Sequence, residues 1–336
     1  MDAERKRFLK NLVERYAGPN TAASVWQLIN SLVPFIAGWC LMLYSLRWGY
    51  WTTLLLAIPT TGFLVRLFII QHDCGHGSFF RSRRVADAIG FLIGVMTLTP
   101  YGYWRKTHAI HHATSGNLDQ RDFGDIETLT VREYMSLSRW RRLLYRLYRN
   151  PVVLLGVGPV WQFFIKHRLP FDLPLSWKRE WASVIWTNLA LAAVVIGLGE
   201  SVGYIAFLKI QLPISLLAGT LGVWLFYVQH QFEDTYWQAD GAWSYDEAAL
   251  EGSSYFDLPR WLHFFTGNIG LHHIHHLSSR IPNYRLLRCH RENPDLPGVT
   301  RLTVLQGIKC LGLKLWDEEQ RKLVGFRQLR RIRRTA

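Results

Sequence analysis

The amino-acid sequence predicts an all-α integral membrane protein, with four transmembrane helices and a helical cap on the cytoplasmic side. Three features of the sequence indicate this fold class. Apolar residues occur in long uncharged runs separated by charged segments, although the hydrophobic content of 49% is ordinary for a globular protein. The net charge of +14 comes from Lys and Arg that flank these runs, which is typical of membrane spans. Histidines cluster at the ends of two runs and in the segments that follow.

Four apolar runs have close to the length that a helix needs to cross a bilayer, about 20 residues. In chain order they are 25–46, 51–71, 183–199 and 204–229. Two other apolar runs, 85–100 and 151–165, are too short to cross. We therefore expect these two to lie at the membrane interface. The segments 72–182 and 230–336 are expected to form the cap of a single domain that spans residues 1–336.

The distribution of positive charge predicts which side of the membrane each segment occupies. The two loops between paired spans hold one positive residue, Arg47, whereas the leader, the central segment and the tail hold most of the Lys and Arg. By the positive-inside rule, both termini and the cap are then cytoplasmic. The histidines agree with this independently, because the same orientation brings every histidine cluster to one side of the membrane.

Three further features are open to interpretation. Arg66 lies inside the second span, under two turns from its end, and either reaches the interface or pairs with a group near the histidines. The charged leader, residues 1–20, is predicted to be helical. In the tail, apolar residues recur every third position from Leu323 to Ile332 among Lys and Arg, which fits either a basic amphipathic helix or a solvated tail.

Histidine is the residue type that points to chemistry. Eight histidines form three clusters: His72 and His76; His108, His111 and His112; His272, His275 and His276. Residues at i, i+3 and i+4 share one face of a helix, and neutral imidazole is the commonest metal ligand in proteins. If the rings were buried without partners, each would cost about 1–3 kcal/mol, together about the whole stability of a domain, ~5–15 kcal/mol. We therefore predict a shared metal centre, with His230 after the fourth span as a ninth candidate ligand.

The number and spacing of the candidates disfavour other kinds of site. A structural zinc ion takes four ligands, and no Glu follows the first His of a cluster as in the HExxH proteases. Haem ligands from different spans would lie within the helices rather than in spaced groups at their ends. The four cysteines, Cys40, Cys74, Cys289 and Cys310, include no CxxC pair. Eight or nine imidazoles fit two metal ions, and the residue type alone leaves iron, copper and zinc open.

On four motifs the chain resembles the membrane fatty acid desaturases, the di-iron enzymes with three histidine boxes. It looks most like their bacterial acyl-lipid omega-6 (delta-12) branch. The motifs are QHDCGHGSF at 71–79, HAIHHATSGN at 108–117, VQHQFED at 228–234 and GNIGLHHIHH at 267–276. The resemblance extends over roughly residues 35–290, and the combination of three ordered boxes with this topology is specific.

The resemblance implies roles for individual residues, and no catalytic side chain beyond the metal ligands. Carried over by position, the ligands are His72, His76, His108, His111, His112, His230, His272, His275 and His276. His273 fills a box position where other members have no histidine, so it is expected behind the ligands, together with Asn268 and Asp73. Other carboxylates that could orient the rings are Asp122, Asp125 and Glu233.

The activity that the resemblance implies is the desaturation of an acyl chain, expected to be lipid-linked, by two Fe ions with O2 as co-substrate. Because the cytochrome motif His-Pro-Gly-Gly is absent from the sequence, a separate electron donor such as ferredoxin is expected to bind the basic face. The implied location is the inner (cytoplasmic) membrane of a bacterium, and nucleic acid is not an expected partner. Hydroxylation or ketolation of acyl chains, alkanes or carotenoids, a membrane zinc hydrolase, and a metal carrier or sensor stay open at this point.

Overall fold

The computed structural model describes residues 3–121, 124–294, 296 and 298–329, and these residues are mostly helical, as predicted. The helices are α1 Ala3–Tyr16, α2 Thr21–Ser45, α3 Tyr50–His76, α4 Arg83–Met96, α5 Tyr101–Thr114, α6 Val131–Ser136, α7 Arg139–Tyr148, α8 Lys178–Val202, α9 Tyr204–His230, α10 Tyr245–Glu251, α11 Arg260–Phe265, α12 His272–Leu277, α13 Asn283–Glu292 and α14 Val304–Cys310. The strands are β1 Tyr255–Asp257, β2 Arg301–Thr303, β3 Leu315–Asp317 and β4 Lys322–Val324; β1 pairs with β2 in parallel and β3 with β4 antiparallel. Two π-helical segments, Val153–Val157 and Val160–Lys166, and the 3₁₀ turn Asp240–Ala242 complete the regular structure.

Four helices in the described part of the chain are long and apolar enough to span a bilayer: α2, α3, α8 and α9. Each overlaps one of the four predicted runs. Their outer surfaces carry large apolar side chains with high exposure, for example Leu55 and Ile205 at 67% each. Apolar surface on this scale is typical of contact with lipid rather than with water. The protein is a multi-pass membrane protein, in which α3 lies at the centre against α2, α4 and α9.

The two short apolar runs fold differently from each other. The run 85–100 lies mostly in α4, which meets α5 at an angle of 102°. A tight turn makes this bend, because the Thr99 N–H donates to the Gly94 carbonyl (2.7 Å). The bend carries the second histidine cluster, on α5, back toward α3. The run 151–165 forms the two π-helical segments, which pack against α9. The placement of both runs at the membrane interface stays a prediction.

The prediction for the N-terminal leader is confirmed, whereas the predictions for the C-terminal tail are wrong. The leader is helical as predicted, and α1 packs against α13 through Leu9, Leu12 and Tyr16, with the Tyr16 hydroxyl donating to Glu292. The predicted amphipathic helix in the tail is wrong over 322–328, and so is the solvated tail. Leu323 and Val324 are buried in strand β4, because adjacent apolar residues there pack into the cap. Ile332 lies outside the described residues.

Arg66 pairs inside the protein rather than reaching the interface. Its Nε donates to the Ser31 hydroxyl (3.0 Å), and its Nη1 donates to the Phe264 carbonyl. The guanidinium also lies 4.0 Å from the centre of the Phe264 ring. Since an unpaired charge within a membrane helix is costly, these contacts explain how α3 tolerates an arginine. They also fix α11 of the cap against α3.

The turn between α4 and α5 predicts the effect of a small substitution. A Cβ at Gly94 would lie 2.5 Å from the Thr99 carbonyl oxygen, whereas a Cβ at Gly197 of α8 would meet no atom within 4 Å. We expect Gly94→Ala to destabilise the protein by about 1–3 kcal/mol through overpacking. Gly197→Ala should be neutral or stabilising by up to about 1 kcal/mol, the gain in helix propensity. Thermal unfolding in detergent measures both, and equal melting temperatures would contradict the described turn.

Candidate metal centre

The histidines lie where helices end at the cap. Helix α3 ends at His76, because the next residue, Gly77, adopts a left-handed conformation (φ 72°) and its N–H bonds back to the Asp73 and Cys74 carbonyls. Helix α9 ends at His230, and the short helix α12 begins at His272. The second cluster occupies the last two turns of α5. Four helix ends therefore meet at one level and bring the clusters together.

All nine predicted ligands converge, and they divide into two groups. In each group the nitrogens that could bind a metal lie within 4.8 Å of one another. The five-histidine group is His72, His76, His108, His112 and His275; the four-histidine group is His111, His230, His272 and His276. The groups are adjacent, since the His112 and His276 rings stack with their centres 4.1 Å apart. Their size and proximity are compatible with two neighbouring metal ions.

Helix geometry explains why each triplet divides between the groups. Residues four apart are offset by about 40° around a helix, and residues three apart by about 60° in the opposite sense. In α5, His108 and His112 are four apart and join the five-histidine group, whereas His111 joins the other. In α12, His272 and His276 are four apart and join the four-histidine group, whereas His275 joins the five-histidine group. The sequence predicted that the histidines of each triplet share one face of their helix, and it did not predict this division.

Three ligand candidates are oriented by an oxygen on their far side. The Nδ1 of His111 lies 2.5 Å from a carboxylate oxygen of Asp125, and the Nδ1 of His72 lies 3.0 Å from one of Asp73. The Nδ1 of His230 lies 3.0 Å from the Gly252 carbonyl. An oxygen of these kinds accepts a hydrogen bond, so each Nδ1 carries the proton. Each Nε2 then presents a lone pair to the centre of the cluster.

The facing nitrogens fit metal binding better than hydrogen bonding. His111 Nε2 and His230 Nε2 lie 3.2 Å apart, and with both protons on Nδ1 neither nitrogen can donate to the other. His272 Nε2 lies 3.0 Å from the same His230 nitrogen. Two nitrogens bound to one ion at about 2.0–2.1 Å lie about 3 Å apart when their bonds are roughly perpendicular. A cation shared by these rings would relieve the contact of lone pairs.

The burial of ring nitrogens is a second indication that these histidines bind metal. His76 Nε2 and His276 Nε2 are buried and have no hydrogen-bond partner among the described residues. Burial is also the main cause that lowers the pKa of His272, His275 and His276 well below the usual value for histidine. These rings are therefore neutral, which is the form that binds metal. The donor set fits two metal ions.

The predicted supporting residues have different locations. Asp73 contacts His72, and its other oxygen accepts from the Asn283 backbone and side-chain nitrogens (2.7 and 2.8 Å). Asn268 donates to the Asn283 carbonyl (3.1 Å). His273 is buried but lies outside both groups, toward Tyr255. Of the other carboxylates that the sequence suggested, Asp125 contacts a ligand candidate, Glu233 pairs with Lys322 (3.2 Å) instead, and Asp122 lies outside the described residues.

Some groups that support the histidines could not be recognised from the sequence. The Gly252 carbonyl and the Asn283 amide act through positions that are far along the chain from the histidines they support. The Trp104 ring stacks on His108 with the ring centres 4.6 Å apart. The only signal for Trp104 was its place one turn before His108 on α5, which is common to many core residues.

A cavity of about 360 Å³ begins at the histidines. It reaches His72, His108 and His272 at one end and runs between α3, α9 and the π-helical segments. Its apolar wall includes Phe68, Ile69, Trp104, Val223, Phe226 and Phe163. An apolar cavity that reaches the histidines suits a flexible hydrocarbon chain.

Comparison with known proteins agrees with this geometry. The family model described as fatty acid desaturase matches residues 45–304. The chain is 45% identical to a Bacillus subtilis protein named fatty acid desaturase over 330 residues, which cover 98% of this chain and 93% of that one. It is 27% identical over 301 residues to the sn-1 oleoyl-lipid 12-desaturase of Anabaena variabilis, covering 84% and 79% of the two chains. With the Synechocystis sn-1 acyl-lipid omega-3 desaturase (ferredoxin) it shares 31% identity over 235 residues, 66% of this chain and 62% of that one.

The match extends across most of the chain, and the histidines that it includes are those that converge at the end of the cavity. The resemblance stated from the motifs is thus confirmed. The chain belongs to the fatty acid desaturase family, and it is an enzyme that introduces double bonds into acyl chains.

Proposed function

We propose that this desaturase uses two iron ions and O2, with the two histidine groups as the two ligand sets. His72, His76, His108, His112 and His275 would hold one ion, and His111, His230, His272 and His276 the other. The proposal is carried by one observation, the sorting of nine imidazoles, most of them buried, into two adjacent groups next to an apolar cavity. Asp73, Asp125 and the Gly252 carbonyl fix the tautomers of three rings.

The chemistry requires both the metal and the cavity. A methylene group in an acyl chain has no useful acidity, so bound iron would supply the oxidising power that no side chain has. The chain's own residues position the substrate. Phe226 lies 5.1 Å from the His111 ring, between ring centres, and Trp104 packs on His108. Together these rings confine a hydrocarbon close to the ligands and exclude water from it.

The substrate that we propose is an acyl chain linked to a membrane lipid. Two relatives are named for lipid-linked substrates, the oleoyl-lipid 12-desaturase and the acyl-lipid omega-3 desaturase. The cavity supports this proposal, because its wall includes Trp161, which is half exposed on a π-helical segment that packs against the membrane-spanning helix α9. A lipid tail could thus enter from the bilayer without passing through water.

We further propose that a separate acidic donor such as ferredoxin delivers the electrons at a cytoplasmic cap, in the inner membrane of a bacterium. The name of the Synechocystis relative includes ferredoxin. The excess of positive charge, +14 overall, lies mainly in the leader, the centre and the tail, which by the positive-inside rule supports a cytoplasmic location of both termini. Opposite charge would raise the rate of encounter with the donor.

Removing one ligand from either group tests the ligand assignment. We expect His111→Ala and His275→Ala, one from each group, to lower product formation by at least about 100-fold and to lower bound iron. His290→Ala is the matched control, because His290 is partly buried in the cap outside both groups. Expression in a bacterium without the activity, followed by fatty acid analysis and iron determination, measures both. Product from His275→Ala at the wild-type level, or active enzyme without iron, would contradict the proposal.

The contact between Asp125 and His111 predicts a second effect. Asp125→Ala removes the acceptor that holds the His111 proton on Nδ1, so iron affinity should fall by about 10–100-fold. Glu233→Ala serves as the control, since Glu233 was an equally plausible carboxylate in the sequence but pairs with Lys322. Competition for Fe(II) with a coloured chelator reports the affinity of each purified variant. Equal affinities in the two variants would show that Asp125 does not orient a ligand.

The proposed donor predicts a dependence on salt. Raising the ionic strength from about 0.01 M to about 0.15 M shortens the Debye length from about 30 Å to about 8 Å. Turnover with reduced ferredoxin should then slow, because screening weakens the attraction to the basic face. A small uncharged reductant provides the comparison and should show no such loss. The same salt response with both reductants would exclude electrostatic guidance of the donor.

A further inference from the structure

Helix α7, Arg139–Tyr148, exposes a continuous apolar face. Trp140, Leu143, Leu144 and Leu147 recur at i, i+3, i+4 and i+7, and their exposures are 64%, 45%, 46% and 48%. This spacing places them on one side of a helix. In a protein surrounded by water such a face would be unfavourable, so a partner is expected to cover it.

The opposite face of α7 is attached to the cap. Tyr145 is 5% exposed; its hydroxyl donates to the Lys314 carbonyl (2.7 Å) and accepts from the Leu129 N–H (3.1 Å). Tyr145 also packs in a cluster with Tyr134 and Leu315. Because Tyr145 and the apolar face point in opposite directions, the cap covers one side of α7 and leaves the other uncovered.

The exposed face of α7 continues into further exposed apolar surface next to the membrane-spanning helix α9. Beyond α7, the chain exposes Val152 at 79%, Val157 at 59% and Trp161 at 50% along the π-helical segments that pack on α9. Tyr148, the last residue of α7, lines the same cavity as Trp161. This continuity indicates the bilayer surface, rather than a soluble partner, as the cover of the apolar face.

The charges on α7 select the kind of lipid. The helix contains four arginines and no acidic residue. Arg142 donates to backbone carbonyls and Arg146 to the Tyr134 hydroxyl, whereas the side chains of Arg139 and Arg141 contact no polar group among the described residues. Arg139 and Arg141 lie on the two flanks of the apolar face, where a basic amphipathic helix meets the headgroups.

We propose that α7 is an interfacial helix that binds anionic phospholipid headgroups through Arg139 and Arg141, with Trp140, Leu143, Leu144 and Leu147 inserted below them. Attraction of an arginine to an anionic leaflet is sizeable when it lies within a Debye length of the surface. The helix thereby fixes the depth of the cap relative to the lipid tails. This inference does not depend on the proposed metal or substrate.

The retention of anionic lipid tests whether Arg139 and Arg141 bind its headgroups. The full-length protein is placed in nanodiscs of phosphatidylcholine with a minority of phosphatidylglycerol, and the phosphatidylglycerol retained after purification is counted by native mass spectrometry. Arg139→Gln and Arg141→Gln should each weaken retention about fivefold. Arg132→Gln is the control, because Arg132 is exposed on α6 of the cap and faces Glu318. Equal retention in all variants would overturn the proposal.

The depth of the helix is a separate test that needs no activity. Nitroxide labels are attached at Leu144→Cys and Glu319→Cys in a Cys40→Ala background, since Cys40 is exposed and the other three cysteines are buried. The label at 144 should be relaxed by oxygen and protected from an aqueous nickel chelate, and the label at 319, on the exposed cap, should show the reverse. Equal access of the chelate to both labels would exclude insertion of α7.

Discussion

The structure depends on one constraint, that nine imidazoles, most of them buried, must be aimed at two points. Each buried nitrogen without a partner costs about 1–3 kcal/mol, so the arrangement is tolerable only if most of the nitrogens share a ligand. Side chains on loops would not hold such a geometry. The protein instead places the rings on the last turns of α3, α5 and α9 and on the short helix α12, where the backbone is already fixed by hydrogen bonds.

The same helices connect the metal centre to the cavity. Phe226 lies four residues before His230, about 6 Å along the axis of α9, and Phe68 lies four residues before His72 on α3. Each helix therefore carries a ligand candidate at its end and a cavity wall one turn below it. The distance from wall to ligand is set by helix geometry, so a chain in the cavity would have a fixed position relative to the centre.

Features that depend on residues close together in the sequence could be predicted from it, whereas features that depend on contacts between distant segments could not. Membrane helices and helical histidine spacing are local patterns, and both were recognised. Helix spacing separates His111 from His108 and His112 around α5, but which rings of other helices join each group depends on how α5, α9 and α12 cross, and no local pattern contains that. Orientation by the Gly252 carbonyl arises from a contact between distant segments. In the tail, the three-residue spacing from Leu323 suited a helix face, but pairing with β3 holds Leu323 and Val324 in a strand.

The charge around the centre also bears on electron supply. Imidazole is uncharged in the form that binds a metal, and among the described residues the carboxylates that contact the ligand candidates are Asp73 and Asp125. Two divalent ions would exceed that negative charge, so the site is expected to be net positive in a protein whose overall charge is +14. Net positive charge favours the reduced state of a metal site. With the proposed ions and donor, imidazole ligands and a basic cap would act in the same direction, since one would make the centre easier to reduce and the other would attract an acidic donor.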